Sequence, residues 1–319
     1  MDSFWSTKRV LLTGSTGFIG SHIKEKLIAL GVQDLYLSKR PDNDLTKETE
    51  VQKLYDMAKP DIVFHLAGLV GGILANKQRP ADFFYQNLLM GTFMLHYASE
   101  NKIDAFVAAG AGCGYPLNAP MPLKEDDFWI GYPQEESAPY SLAKRLLTIQ
   151  ADAYDKQHQL KTVICIPGNV YGTHDNFNLN DSHVIPALVR KFVEASQEKK
   201  DTIEVWGTGK ASRDFVYVED VVDGMIQAAQ HSQKSNLFNI SSGYDTSIGD
   251  VCALLQSITG FQGDLRYNTD KPDGQQKRLF DISKAEKELN FKPKISLKEG
   301  LQQTVSWYQE HYHDSTLRR

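Results

Sequence analysis

The sequence predicts an α/β protein: a doubly wound parallel sheet followed by a smaller C-terminal α/β domain. Three observations predict it. Short β-rich runs alternate with helical stretches through the first half of the chain, as βαβ units require. A glycine-spaced turn, TGSTGFIG, joins the first run to the first helix. The length, 319 residues, provides core for one large domain or two modest ones.

The elements follow in order. RVLLTG is the first strand, and FIGSHIKEKLIALG is a helix closed by Gly31. DLYLSK is the second strand, and ETEVQKLYDMAKP has helical spacing that stops at Pro60. DIVFHLAG and IDAFVAAG read as strands. YSLAKRLLTIQADAYDKQ is helical, and KTVICIPGNVYG is one strand ending in a turn. Beyond residue 174 the rhythm loosens, with helices in DSHVIPALVRKFVEASQEKK, TSIGDVCALLQSITG and SLKEGLQQTVSWYQEHYH and a strand in TIEVWGTG. Residues 1–173 are expected to form a Rossmann-type dinucleotide-binding domain, with return segments near 214–245. Residues 174–213 and 246–319 are expected to bind substrate, with the active site in the cleft between the two.

Composition excludes several classes. The net charge is -5 and no Lys/Arg-rich block is present, which argues against nucleic-acid or membrane-surface partners. No apolar run approaches the roughly 20 residues of a spanning helix. The N-terminal apolar run enters the glycine motif directly, as a strand does and a signal peptide does not. Cys113, Cys165 and Cys252 are too widely spaced for a disulfide framework or a metal site. A reducing cytoplasmic location is expected.

Two motifs carry chemistry. In the first, Gly14, Gly17 and Gly20 stand between a strand and a helix, where small residues admit a pyrophosphate to the helix N-terminus. The second strand ends in Ser38, Lys39 and Arg40, where an NAD-specific site usually offers a carboxylate. Basic groups suit a 2′-phosphate, so NADP(H) is favoured over NAD(H); Asp44 and Leu45 lie where the loop reaches the adenine. In the second, Tyr140 and Lys144 share a helix face. The lysine charge is expected to lower the tyrosine pKa from its ordinary value of about 10, fitting it for proton transfer to or from a substrate oxygen.

TGSTGFIG, HLAGLVGG, YSLAK and GNVYG together resemble the extended short-chain dehydrogenase/reductases, which act on nucleotide sugars. GLVGGILANKQRPADFFYQN, HDNFN, SHVIPALVRKF, WGTGKASRDFVYVED and KPDGQQKR extend the likeness over nearly the whole chain, towards members that epimerise and reduce a GDP-4-keto-6-deoxy sugar. The resemblance implies catalytic roles for Tyr140, Lys144, Cys113 and His183, the last two inverting the carbons that flank the ketone. It implies cofactor contacts at Gly14, Thr16, Gly17, Phe18, Ile19, Gly20, Ser38, Arg40, Asp44, Leu45, Leu66, Ala67, Lys144, Pro167, Asn169, Val170 and His183. It implies substrate contacts at Asn169, Arg190, Trp206, Arg213 and Lys277, and a homodimer; FFYQNLLMGTFMLHYA is an apolar helix open to two readings, dimer interface or core.

One position departs from the pattern. Ala111, two residues before Cys113, stands where these reductases carry a Ser or Thr that polarises the substrate oxygen. Three readings stay open. Ser141 or a water replaces the hydroxyl; or the protein is an epimerase or 4-dehydrogenase with tightly bound NAD(P), or one in which epimerisation dominates; or it is a non-catalytic NADP-binding regulator.

Overall fold

The computed structural model describes residues 3–179, 181–271, 273–314 and 317. A single helical turn, α1 (Ser3–Ser6), precedes a strand–helix alternation: β1 (Arg9–Thr13), α2 (Phe18–Ala29), β2 (Asp34–Ser38), α3 (Glu48–Ala58), β3 (Ile62–His65), α4 (Ile73–Gln78), α5 (Pro80–Glu100), β4 (Ala105–Ala109), α6 (Ala138–His158) and β5 (Thr162–Pro167). These strands join β9 (Asn236–Ile240) in a six-stranded parallel sheet of order β2-β1-β3-β4-β5-β9. The apolar runs explain it: β3 and the first four residues of β4 are buried, as strands covered on both faces must be. Alternate residues serve opposite faces. Val10 and Leu12 of β1 pack with Ile23 and Leu27 of α2, while Leu11 packs with Leu54 of α3 and Met94 of α5.

The strand order reverses between β1 and β3, which opens a crevice at their carboxyl ends. Thr13 is in register with both Ser38 and His65, so the segments after β1, β2 and β3 share one edge.

KTVICIPGNVYG is not one strand. β5 ends at Pro167, and a separate strand, β6 (Asn169–Tyr171), pairs with β8 (Ser212–Tyr217) in another sheet. Gly168 makes the crossing, because a Cβ there would fall on the Ser241 side chain. Around β8 lie β6, the antiparallel β10 (Asp245–Ser247) and the parallel β12 (Lys277–Arg278); β7 (Thr202–Trp206) and β11 (Asp264–Asn268) form a separate parallel pair. α7 (Val184–Gln197), α9 (Ile248–Thr259) and α11 (Leu297–Glu310) close a second core through Phe192, Leu255 and Leu301. α8 (Val218–His231) returns to the main sheet, with Met225 in the same core as Val163 of β5, and α10 (Ser283–Leu289) packs beside it. Among the described residues, no helix is long and apolar enough to cross a membrane.

Candidate active site

The three glycines do different work. Gly14 has φ +71, and a Cβ on it would come 2.7 Å from the Ala67 nitrogen, so glycine lets the turn lie against the chain leaving β3. Gly17 caps α2 and donates its N–H to the Gly14 carbonyl at 2.9 Å. A Cβ on Gly20 would strike the Gly14 carbonyl, so only glycine permits α2 to seat this close. The first intrahelical bond runs from Ser21 N to Gly17 O, leaving the N–H groups of Phe18, Ile19 and Gly20 at the positive end of the helix. Thr16 is exposed at the turn. This cradle fits the pyrophosphate of a dinucleotide.

Along the same edge, Thr13 Oγ1 accepts from Ala67 N at 3.2 Å and meets His65 Nδ1 at 2.9 Å, which anchors Leu66 and Ala67 beside Gly14. Burial, with the Lys144 charge, drives the His65 pKa down to about 3, so this imidazole is neutral. Ser38 is buried, whereas Lys39 and Arg40 are exposed beyond it. Asp44 accepts from Thr46 Oγ1 at 2.7 Å and lies 3.6 Å from Lys47 Nζ; the Thr46 bonds, then Lys47, hold its pKa low. Leu45 is buried beside it.

Cys113, Tyr140 and Lys144 meet beyond β4. Cys113 rides a one-turn helix, Gly112–Gly114, and α6 passes alongside. The Lys144 ammonium donates to the Ala109 carbonyl at 3.0 Å. Ser141, fully buried on α6, hydrogen-bonds the Cys113 thiol, and its Oγ lies 3.5 Å from Ser137 Oγ. Tyr140 meets Phe83 edge to face at 6.1 Å. Burial pushes the Cys113 thiol up, while Ser141, the Arg278 guanidinium and Lys144 pull it back. Burial lowers Lys144 to about 8, with Cys113 opposing.

Tyr140 differs from expectation. Burial, reinforced by Cys113, holds its pKa well above the ordinary value. Both causes favour the protonated phenol over the phenolate. Ala111 is buried in extended conformation, φ −143 and ψ 126, and brings no hydroxyl.

The remaining residues are more dispersed. His183 caps the N-terminus of α7; its ring is solvent-accessible, yet surrounding protein lowers its pKa. Pro167 ends β5, and Asn169 and Val170 begin β6, where Asn169 Nδ2 donates to the Asp214 carbonyl at 3.3 Å. Arg213 donates to the carbonyls of Ser212 (2.8 Å) and Gln275 (2.6 Å). Arg190 is paired with Glu194 at 2.9 Å, and Lys277 with Asp245 at 3.1 Å. Trp206 is 57 % exposed at the end of β7, with Lys191 and Lys271 over its ring.

Two residues were not anticipated. Arg278, not Lys277, is the basic group that faces Cys113. Asp214, 0 % exposed, accepts from Ser242 N (3.0 Å), Ser242 Oγ (2.6 Å), Gly243 N (3.2 Å) and Phe280 N (3.2 Å), tying β8 to the chain on both sides of the site.

Comparison with known proteins adds four findings. Residues 10–241 match the NAD dependent epimerase/dehydratase family. A putative GDP-L-fucose synthase 2 of Arabidopsis thaliana is 36 % identical over 303 residues, covering 95 % of this chain and 92 % of the relative. Among solved structures, a GDP-mannoheptose C4 reductase from Campylobacter jejuni with NADP bound is 32 % identical with a TM-score of 0.86, covering 94 % and 98 % of the two chains. A GDP-L-fucose synthetase from Naegleria fowleri bound to NADP is 25 % identical with a TM-score of 0.91, covering 98 % and 96 %.

Proposed function

Because the chain belongs to the NAD dependent epimerase/dehydratase family, we propose that it is an NADP(H)-dependent epimerase–reductase of a GDP-linked 4-keto sugar, converting GDP-4-keto-6-deoxy-mannose to GDP-L-fucose or a close relative. The observation that carries this reading is the thiol of Cys113 set among Tyr140, Ser141 and Lys144 at the end of β4. A simple ketone reductase needs the Tyr–Lys pair; a thiol beside it adds a base for a carbon acid.

In this reading Cys113 removes a proton from a carbon next to the ketone, and His183 returns one to the opposite face. The neutral Tyr140 phenol then donates its proton to the ketone oxygen. Bound NADPH supplies the hydride. Gly14, Gly17 and Gly20 seat its pyrophosphate, and Lys39 and Arg40, on the Gly14 edge, favour a 2′-phosphate. Arg213 and Trp206 take the nucleotide end of the substrate, and Asn169 lies between the nicotinamide and the substrate. Arg190 and Lys277 join only by leaving Glu194 and Asp245. A homodimer forms through the outer faces of α5 and α6, where Tyr85 and Ile149 are exposed.

Ala111 favours a second reading, in which epimerisation outruns reduction. Incubation with GDP-4-keto-6-deoxy-mannose and NADPH in deuterated water separates them. Stoichiometric NADPH loss with deuterium at the flanking carbons is the expected result. Deuterium uptake without NADPH loss supports the second reading. Neither signal, despite cofactor binding, sinks both and leaves a regulatory protein.

A further inference from the structure

We infer that Arg278 is the positioning residue that makes Cys113 usable as a base, by placing a partly buried positive charge opposite its sulfur. The inference rests on the reading of Cys113 given above.

Strand geometry carries it. β12 is two residues long and pairs with β8, Lys277 beside Ser212 and Arg278 beside Arg213. Successive strand residues point to opposite faces. Lys277 points to Asp245, so Arg278 points the other way. Phe280, two residues on, presses against Gly112: a Cβ on Gly112 would come 2.9 Å from the Phe280 ring. The segment cannot swing away. Leu123 N donates to Leu279 O at 2.8 Å, Asp281 N to Leu123 O at 2.9 Å, and Asp214 accepts from Phe280 N. The Phe280 ring also packs on Tyr115 at 5.9 Å. Arg278 is thereby aimed at the turn that carries Cys113.

Among the described residues no carboxylate forms an ion pair with Arg278, and Cys113 is the charge partner that favours its cation. Its Nε is buried and finds no hydrogen-bond partner among the described residues. Arg213, the residue in register with it, is a like charge whose own donors go to backbone carbonyls. The groups that act on Cys113 are Ser141 and Lys144 on α6 and Arg278 on β12, all favouring the thiolate against burial; Tyr140 on α6 is neutral. A partly buried cation with an unused donor is satisfied by an anion within reach, and the Cys113 thiolate is one.

The test is the pH profile of Cys113 alkylation by iodoacetamide in the full-length protein without substrate. Cys165 and Cys252 are buried, so Cys113 is the thiol that reacts. R278Q is expected to move the alkylation midpoint up by about one pH unit. Below the midpoint the rate falls roughly threefold, a tenfold loss of thiolate partly offset by its greater nucleophilicity. R278K restores most of the shift. Should R278Q fail to fold by circular dichroism, R278M keeps the stem packing and carries the same expectation. An unshifted midpoint overturns the inference, as does failure of R278K to restore it. If R278Q weakens substrate binding but leaves the midpoint in place, Arg278 serves the diphosphate; the proposed function then stands and this inference falls. The alkylation needs no sugar, so its outcome is independent of the NADPH and deuterium experiment.

Discussion

Position 111 separates the two halves of the proposed reaction. Cys113 has a buried hydroxyl partner in Ser141, a lysine and an arginine around it. The ketone oxygen has Tyr140 but no second donor, because Ala111 ends in a methyl group and the Ser141 hydroxyl is buried against the thiol. Removing one such donor from an active site typically costs on the order of 10²–10³ in rate. Ala111→Ser is therefore expected to raise NADPH-dependent reduction at least about tenfold while leaving solvent-deuterium exchange within about twofold. Single-turnover NADPH oxidation beside exchange measured by mass spectrometry reads both. Equal rates in the variant and the parent protein would mean that another group already polarises the ketone. At this scale the sequence is legible where chemistry forces a residue type and illegible where it depends on orientation. Gly14 and Gly20 are required by close backbone approach, so their spacing announces the cradle. Lys277 and Arg278 are adjacent basic residues, and nothing in KPDGQQKR says which faces inward; a two-residue strand has no pattern from which to read its phase. The Tyr140 phenol shows the same limit, since its neighbour in sequence favours ionisation and the burial that prevents it comes from the fold.

Helices α5 and α6 each run for 21 residues and pack side by side. Their inner faces supply Met90, Met94 and Leu147 to the core under the sheet. Their outer faces leave Tyr85, Leu146 and Ile149 in solvent, around a groove of about 430 Å³ lined by Leu88, Gly91, Leu146, Ile149 and Ala153. A monomer gains nothing from an apolar groove on its two longest helices, whereas a second copy would bury it as a four-helix layer. Leu146→Glu with Ile149→Glu is expected to convert the proposed dimer to a monomer in sedimentation velocity, with the far-ultraviolet circular dichroism unchanged, because neither side chain lies in the core. A dimer that survives the double change would place the interface elsewhere. Long periodic helices such as these were legible from sequence. The split of KTVICIPGNVYG into β5 and β6 was not, because the apolar run is continuous and only the packing of Gly168 against Ser241 breaks it.

The whole molecule hangs on the carboxyl ends of the central strands, and His65 joins that region to global stability. It ends β3, bonds Thr13 of β1 and is 2 % exposed, with Lys144 close enough to oppose its protonation. Its folded pKa is about 3 against an ordinary 6.5. The folded state thus requires the neutral ring, while the unfolded chain takes a proton below about pH 6.5. Stability from this group is complete above that pH and is lost as the pH falls towards 3, by up to about 1.4 kcal/mol for each unit of descent. His65→Asn keeps an acceptor towards Thr13 and removes the titration. Denaturant unfolding at pH 7.0 and 5.5 should show the parent protein losing about 1.4 kcal/mol more than the variant over that interval. The variant should be less stable at pH 7.0, since a smaller side chain leaves space in the core. Parallel losses in the two proteins would show that the acid sensitivity arises from other groups. Because His65 anchors Ala67 beside Gly14 through Thr13, the same protonation should loosen the cofactor edge before the protein unfolds, and NADPH affinity should weaken ahead of the unfolding transition as the pH is lowered.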